Sequence, residues 1–220
     1  MIAKKNYVVL FFLFLILTTY APKNTFFSTF FKIKEIVLSN NSEENLENIF
    51  KDLEIILGKN ITFLSEKDFE FIINKHPIIK EIKIKKIYPS KVELDINQKK
   101  VIGIIIDKKE KKIITDKNEI LKLRRYYDFG KLPFIYGGSD EFIKLYNLLN
   151  EINFPIEKIK VFYYFEIGRW DLELINNKLI KLPPKNVRFS LQNFIENYES
   201  NNFEKFDFFD YRIKNELIIR

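Results

Sequence analysis

The chain has no cysteine, one histidine, one methionine, one tryptophan and only six glycines in 220 residues. Without cysteine there are no disulfides and no thiolate metal or nucleophile chemistry. A single His76 cannot build a histidine-based metal site, and Pro77 directly after it marks a helix end. So few glycines leave no glycine-rich phosphate loop and no Gly-x-Ser-x-Gly elbow. Adjacent acids such as Asp207 with Asp210 and Glu43 with Glu44 read as solvated or turn-forming charges, since sequence proximity does not aim two carboxyls into one cleft. Trp170 reads as core or hairpin packing rather than a sugar platform. No catalytic constellation, cofactor site or metal site emerges.

What is abundant is lysine, isoleucine and phenylalanine. Lys and Arg total 37 against 30 Asp and Glu, a net charge of +7. A basic surface on an exported body points to anionic lipid headgroups rather than nucleic acid. Export is suggested by Tyr7 to Ala21, YVVLFFLFLILTTYA, which carries no charge. Counted from Ile2, with Lys4 and Lys5 snorkelling to the headgroups, it reaches roughly 20 residues, enough to span a bilayer. The competing reading is a cleaved signal peptide with its site at Thr19-Tyr20-Ala21, against which Pro22 stands in the position after the cut. A buried core helix is the weakest reading, because the run leaves no polar face. Lysines flank both sides, so the positive-inside bias alone does not orient the segment.

Past the segment, Phe26 to Phe31 is an aromatic stretch suited to the membrane interface. Phe31 to Ser39 alternates as a strand. Asn41 and Glu44 form a capping-box pattern before Leu46, Ile49, Phe50, Leu53, Ile56 and Leu57 at helical spacing, and Gly58 marks that helix's end. Ser65 with Asp68 opens a second short helix carrying Phe69, Ile72 and Ile73, stopped by Pro77. Ile82 and Ile84 alternate with lysines, Tyr88-Pro89-Ser90 turns, and Val92, Leu94 and Ile96 alternate with Glu93, Asp95 and Asn97. The order β-α-α-β-β allows both helices to cover one face of a three-stranded sheet.

This order resembles a POTRA domain. The runs Phe31-Lys-Ile-Lys-Glu-Ile-Val-Leu-Ser-Asn40, Gly58-Lys-Asn-Ile61 and Lys86-Ile-Tyr-Pro89-Ser-Lys-Val92-Glu-Leu94-Asp-Ile96 are similar to the bacterial cell-division family FtsQ, called DivIB in Gram-positive bacteria. Further on, Val101–Asp107 and Ile113–Asp116 read as a hairpin, and Leu132-Pro133-Phe-Ile135-Tyr-Gly137 resembles a family step. Asp140–Asn150 reads as a helix and Ile159–Phe165 as a strand. Arg169–Leu174 with Leu179–Pro183 resembles the family's Trp-centred hairpin, with Asn177 at its turn. A last helix spans Lys185–Glu199, and Asp210-Tyr211-Arg212 resembles the family's terminal landmark.

The resemblance implies an α+β protein: a cytoplasmic tail (1–6), a transmembrane helix (7–21), a POTRA domain (22–99), and an FtsQ-type mixed α/β domain with an extended, mainly antiparallel sheet (100–220). It implies a single-pass inner-membrane protein at the division septum with its C-terminal body in the periplasm. The implied role is a scaffold with no small-molecule substrate. It would bind the periplasmic parts of FtsB- and FtsL-type division proteins and help organise the septal synthase complex. The alternative is a POTRA module handing substrates to an outer-membrane barrel; a third reading, a membrane-tethered cell-wall enzyme, lacks a nucleophile and base. A terminal strand at a sheet edge offers unpaired backbone groups for β-augmentation, and Tyr211, Arg212, Ile213, Leu217, Ile218 and Ile219 are the candidate partner-binding residues. The competing view is that Leu217 to Ile219 simply closes the core.

Overall fold

Lys4–Thr19 forms one helix, α1, in the computed structural model. The structure describes residues 4–19, 29–39, 46–107, 110–122, 131–199, 203–213 and 216–220. Every α1 side chain from Tyr7 to Thr18 is exposed. At 16 residues α1 is ~24 Å long, and among the described residues no helix is long and apolar enough to cross a membrane. Ile2 and Ala21, which set the expected span, lie outside the described residues, as do Asn41 with Glu44 and the start of the 26–31 stretch.

The first sheet contains β1 (Glu35–Leu38), β2 (Ile79–Ile87) and β3 (Lys91–Gln98) in the order β1-β3-β2. Strand β3 alternates as expected, with Val92, Leu94 and Ile96 buried and Glu93, Asp95 and Asn97 on the other face. It pairs antiparallel with β2 (Ile84 opposite Leu94) and parallel with β1 (Leu38 opposite Leu94). Helix α2 (Leu46–Leu53), continued by a 3-10 turn to Ile56, and α3 (Glu70–Lys75), preceded by a 3-10 turn over Glu66–Phe69, deliver Ile49, Leu53, Ile56, Phe69 and Ile72 to the same core. The Ser65–Asp68 capping box is present, with the Ser65 N–H donating to Asp68 Oδ2 at 2.9 Å. Gly58 ends the α2 segment at φ +80°, a left-handed position that glycine adopts without steric cost. Asp52 ties the two helices together: Lys75 Nζ and His76 Nε2 each approach its carboxylate at 2.6 Å. Lys75, and after it His76, holds the Asp52 carboxyl below the usual carboxylate range. His76 is therefore a buried packing residue at a helix end.

The first strand is shorter than its alternation predicts. Phe31 to Ile33 pair instead with the turn after α2, with the Ile33 N–H donating to Lys59 C=O and the Ile61 N–H to Phe31 C=O, both at 2.9 Å, while the Lys34 N–H donates to Ser90 C=O at 2.8 Å. Only Glu35–Leu38 remains to pair with β3.

Among the described residues the second sheet runs β12-β11-β10-β9-β8-β7-β4-β5-β6. Its strands are β4 (Val101–Asp107), β5 (Glu110–Thr115), β6 (Ile120–Lys122), β7 (Phe134–Tyr136), β8 (Ile159–Phe165), β9 (Arg169–Leu174), β10 (Leu179–Lys181), β11 (Phe208–Asp210) and β12 (Ile218–Ile219). Most neighbours are antiparallel. Parallel pairs occur at β4/β7, β7/β8 and β10/β11. The last two are joined across helices α4 (Ser139–Glu151) and α5 (Val187–Glu199), because a parallel connection needs a crossover and a helix supplies it. Phe142, Leu145 and Leu149 of α4 and Leu191 and Phe194 of α5 pack on Ile135, Phe162, Trp170, Leu172, Ile180 and Phe209. Trp170 is core, 4.8 Å from the Tyr164 ring. Asn177 turns the β9–β10 hairpin at φ +66°, which asparagine tolerates. Strands β6 and β7 were not marked by the sequence pattern.

The two sheets share apolar contacts. Ile113 of β5 is fully buried with the first sheet's core, and Val101, Ile104 and Leu121 pack against it. The connection Lys99-Lys100 is pinned by the Lys99 N–H to Ile78 C=O and by Lys99 Nζ to Glu119 Oε2 at 2.5 Å.

Candidate functional site: the C-terminal sheet edge

Strand β12 is the outermost strand at one end of the second sheet. Its register is set by Phe209 opposite Ile219 and Asp210 opposite Ile218. One residue further out, the Arg220 N–H donates to Phe208 C=O (3.1 Å), and Arg220 C=O accepts from the N–H groups of Phe208 (3.2 Å) and Asp207 (2.9 Å). Antiparallel pairs alternate between bonded and non-bonded. Arg220/Phe208 is a bonded pair, so Ile219/Phe209 is non-bonded and Ile218/Asp210 is bonded. The N–H and C=O of Ile219 therefore point outward, along the free edge, while those of Ile218 face β11. This alternation is the local basis for adding another strand.

The six candidate residues divide by environment. Tyr211 is buried, and its hydroxyl donates to Asn193 Oδ1 of α5 at 3.0 Å. Burial pushes its phenol pKa up. Tyr211 thus anchors the segment to the core rather than presenting itself to a partner. Leu217 packs partly on the same core. Arg212 and Ile213 are exposed, Ile218 is half-buried and Ile219 lies at the surface. Exposed Ile213 and half-buried Leu217 line a groove of about 690 Å³ with Pro183, Pro184, Phe189 and Tyr211. On the other side of β12 a second cleft of about 700 Å³ is lined by Arg169, Lys181, Phe208, Arg212, Ile218 and Arg220. Lys181 Nζ lies 5.0 Å, and the Arg220 guanidinium 5.8 Å, from the Phe208 ring centre.

Asp210 supports this edge from beneath. It is buried, and Arg212 folds back on it through Nε at 2.7 and 2.9 Å and through its backbone N–H at 3.0 Å. Arg212 holds the Asp210 carboxyl below the usual range despite its burial. Asp171, two strands over on β9, is pushed up by burial, and its neighbour Arg169 only partly offsets this. Arg169 Nε stands 3.2 Å from Asp171 Oδ1 without the alignment of a hydrogen bond. Lys178, which the sequence did not single out, is buried and donates to the carbonyls of Phe203 (3.2 Å), Glu204 (3.0 Å) and Phe206, fastening the segment that leads into β11.

Of the paired acids, Asp207 is exposed near Lys178 Nζ at 3.5 Å and Asp210 is held by Arg212, while Glu43 with Glu44 lies outside the described residues. Among the described residues no group of three or more His, Cys, Asp or Glu could hold a metal ion.

Residues 31–98, which hold the β-α-α-β-β sheet, match the family described as POTRA domain, FtsQ-type. The chain is 23% identical over 162 residues to the cell division protein FtsQ of Rhizobium meliloti (strain 1021), covering 71% of this chain and 52% of that protein. It is 28% identical over 118 residues to FtsQ of Rhizobium radiobacter, covering 53% and 56%. A solved structure, the major extracytoplasmic domain of the trans isomer of the cell division protein DivIB from Geobacillus stearothermophilus, aligns at 12% identity and a TM-score of 0.35, covering 48% of this chain and 98% of that one. The match over residues 31–98 and the similarity over 71% of the chain make it similar to cell-division proteins named FtsQ. It spans about half the length of the curated relatives it matches.

Proposed function

We propose that this protein is a membrane-tethered, non-enzymatic scaffold of the division machinery that captures partner proteins by strand addition at β12. The class of role follows from its FtsQ-like family. The observation that carries the specific reading is the β12 register, which leaves the Ile219 N–H and C=O aimed away from the sheet. The exposed face of Ile213, the groove beside Leu217 and the cationic cleft beside Ile218 give an incoming strand side-chain contacts on both faces. Partners of the FtsB and FtsL type, and through them the septal synthase, are the proposed occupants.

The tether is α1. A helix whose apolar side chains are exposed all round has no solvent-compatible face, and lipid is the surrounding that accommodates Val8 to Leu17. With the short tail in the cytoplasm, the body stands in the periplasm at the septum. The FtsQ-type POTRA domain is followed by the β domain from about residue 100. Co-purification of the full-length, membrane-extracted protein with its membrane neighbours, alongside a mass measurement of its N-terminus, tests the reading. Recovery of FtsB- and FtsL-type proteins with an intact N-terminus supports it. A mature N-terminus near Pro22, or recovery of neither partner, contradicts it.

A further inference from the structure

Three segments meet at one end of the POTRA domain: Thr29–Lys34, the turn at 58–63 and the turn at 88–90. They are stitched together by backbone bonds from Gly58 to Ile33 C=O (2.9 Å), Ile61 to Phe31 C=O (2.9 Å) and Lys34 to Ser90 C=O (2.8 Å), and by a bridge between Lys32 and Asn60. This end displays aromatic rings to solvent. Phe63 is 83% exposed, Tyr88 56% and Phe30 48%. Half-buried Phe31 joins two of them, 5.3 Å from Phe30 and 6.4 Å from Tyr88 between ring centres, while Phe63 stands on the adjoining 58–63 turn. Large exposed rings clustered at a single end are unusual for a surface facing only water.

The charges at this end are cationic. Lys32 and Lys34 are exposed and form no ion pair among the described residues. Lys86 reaches the Thr62 carbonyl at 3.2 Å, beside Phe63. The nearby acids are mostly neutralised: Asp68 by Lys59 at 2.7 Å and Glu35 by Lys91 at 2.9 Å, leaving Glu66. Aromatic rings with interspersed lysines favour headgroup depth over either bulk phase. The chain also delivers this end to the bilayer, since the ten steps from Thr19, the last residue of α1, to Thr29 reach at most about 35 Å.

We propose that this end of the POTRA domain lies on an anionic lipid surface, with Phe30, Phe63 and Tyr88 at headgroup depth and Lys32, Lys34 and Lys86 on the lipid phosphates. The inference rests on the reading that α1 is embedded in that bilayer. Such seating would restrict the swing of the body and help set the direction in which the second sheet extends.

The absence of cysteine makes the test direct. The full chain carrying Phe63→Cys, labelled with an environment-sensitive fluorophore, is reconstituted in phosphatidylglycerol/phosphatidylethanolamine vesicles containing a headgroup spin-labelled lipid. A second variant, Ile175→Cys in the β9–β10 turn, is the control, because that position is also strongly exposed. The expected result is quenching at position 63 at least about twofold stronger than at 175, falling toward the control in phosphatidylcholine vesicles or when Lys32, Lys34 and Lys86 are all changed to Glu. Equal quenching at the two positions in protein that floats with the vesicles overturns the seating but leaves the tether standing. Protein that fails to float removes the tether and the seating together. Quenching indifferent to lipid charge, with retention on purified cell wall instead, overturns the lipid assignment in favour of a glycan.

Discussion

Arg212 and Asp210 form a closed pair two residues apart, with Arg212 Nε 2.7 Å from Oδ1 and 2.9 Å from Oδ2 of an aspartate whose side chain is only 6% exposed. The pair lets a buried charge sit between β11 and the segment leading to β12. Arg212→Ala is expected to destabilise the protein by about 2 kcal/mol at pH 7, since it strands a buried acceptor. Because Arg212 holds the Asp210 pKa below its unfolded value, the pair's stability is present above the ordinary carboxylate pKa and is lost as pH falls through the lowered folded value. Thermal melts of the two proteins should therefore begin to converge as pH falls below about 4 and meet only below the lowered folded value.

Asp171 behaves in the opposite sense. Burial raises its pKa, so the folded state holds the proton more tightly than the unfolded one, and stability falls as pH rises through that window. Asp171→Asn is expected to raise the melting temperature at pH 7, by a gain on the order of 1 kcal/mol, with the advantage closing at low pH. A variant less stable than the parent at pH 7 would mean that Arg169 more than offsets the burial cost.

Gly138 opens α4 at φ +57°, and a Cβ built there would stand 2.3 Å from Tyr164 Cγ. Tyr164 packs on Trp170, so its ring has little room to yield. Gly138→Ala is expected to cost about 2–3 kcal/mol, through strain and displacement of that ring. Gly58→Ala, also at positive φ but with open space around it, should cost less; denaturant melts of the pair separate the two effects.

We propose the POTRA boundary near Gln98 to Val101, but Ile113 lies fully buried in the POTRA core, with Leu121 packed beside it. A fragment of residues 29–122 is therefore expected to melt at higher temperature and more cooperatively than one of residues 29–99. Equal melts would mean that the β5 contact adds nothing. Within this core Ile84 is only half-buried, so Ile84→Asp is expected to be milder than its alternation suggests, while Leu94, fully buried on the central strand, is the position where a charge should abolish folding.

Much of this was legible from local pattern. Val92, Leu94 and Ile96 announced their face by alternation, Ser65 and Asp68 a helix start, and Asn177 a turn. What local pattern does not carry is the identity of a distant partner. Strands β6 and β7 are three residues each, too short for a period, yet Ile135 is buried at the centre of the larger sheet. Lys178 reads as a surface lysine, but carbonyls contributed 25 to 28 residues later bury it. At the C-terminal edge the landmark Asp210-Tyr211-Arg212 was visible, but not that Tyr211 turns inward to Asn193. Nor does alternation alone say which of Ile218 and Ile219 directs its backbone outward, since that depends on the register against Phe208.

That register supplies the most direct test of strand addition at β12. Proline removes a backbone donor. Ile219→Pro removes an outward one, and Ile218→Pro an inward one that holds β12 to β11. Capture of FtsB- and FtsL-type partners by the full-length protein is measured for both variants beside their melting curves. The account predicts that Ile219→Pro loses partner capture by about tenfold or more, the loss of roughly 1.4 kcal/mol of backbone bonding, while its melting temperature stays near the parent's. Ile218→Pro is predicted to lower both. Full partner capture by an Ile219→Pro protein that folds normally would contradict the account.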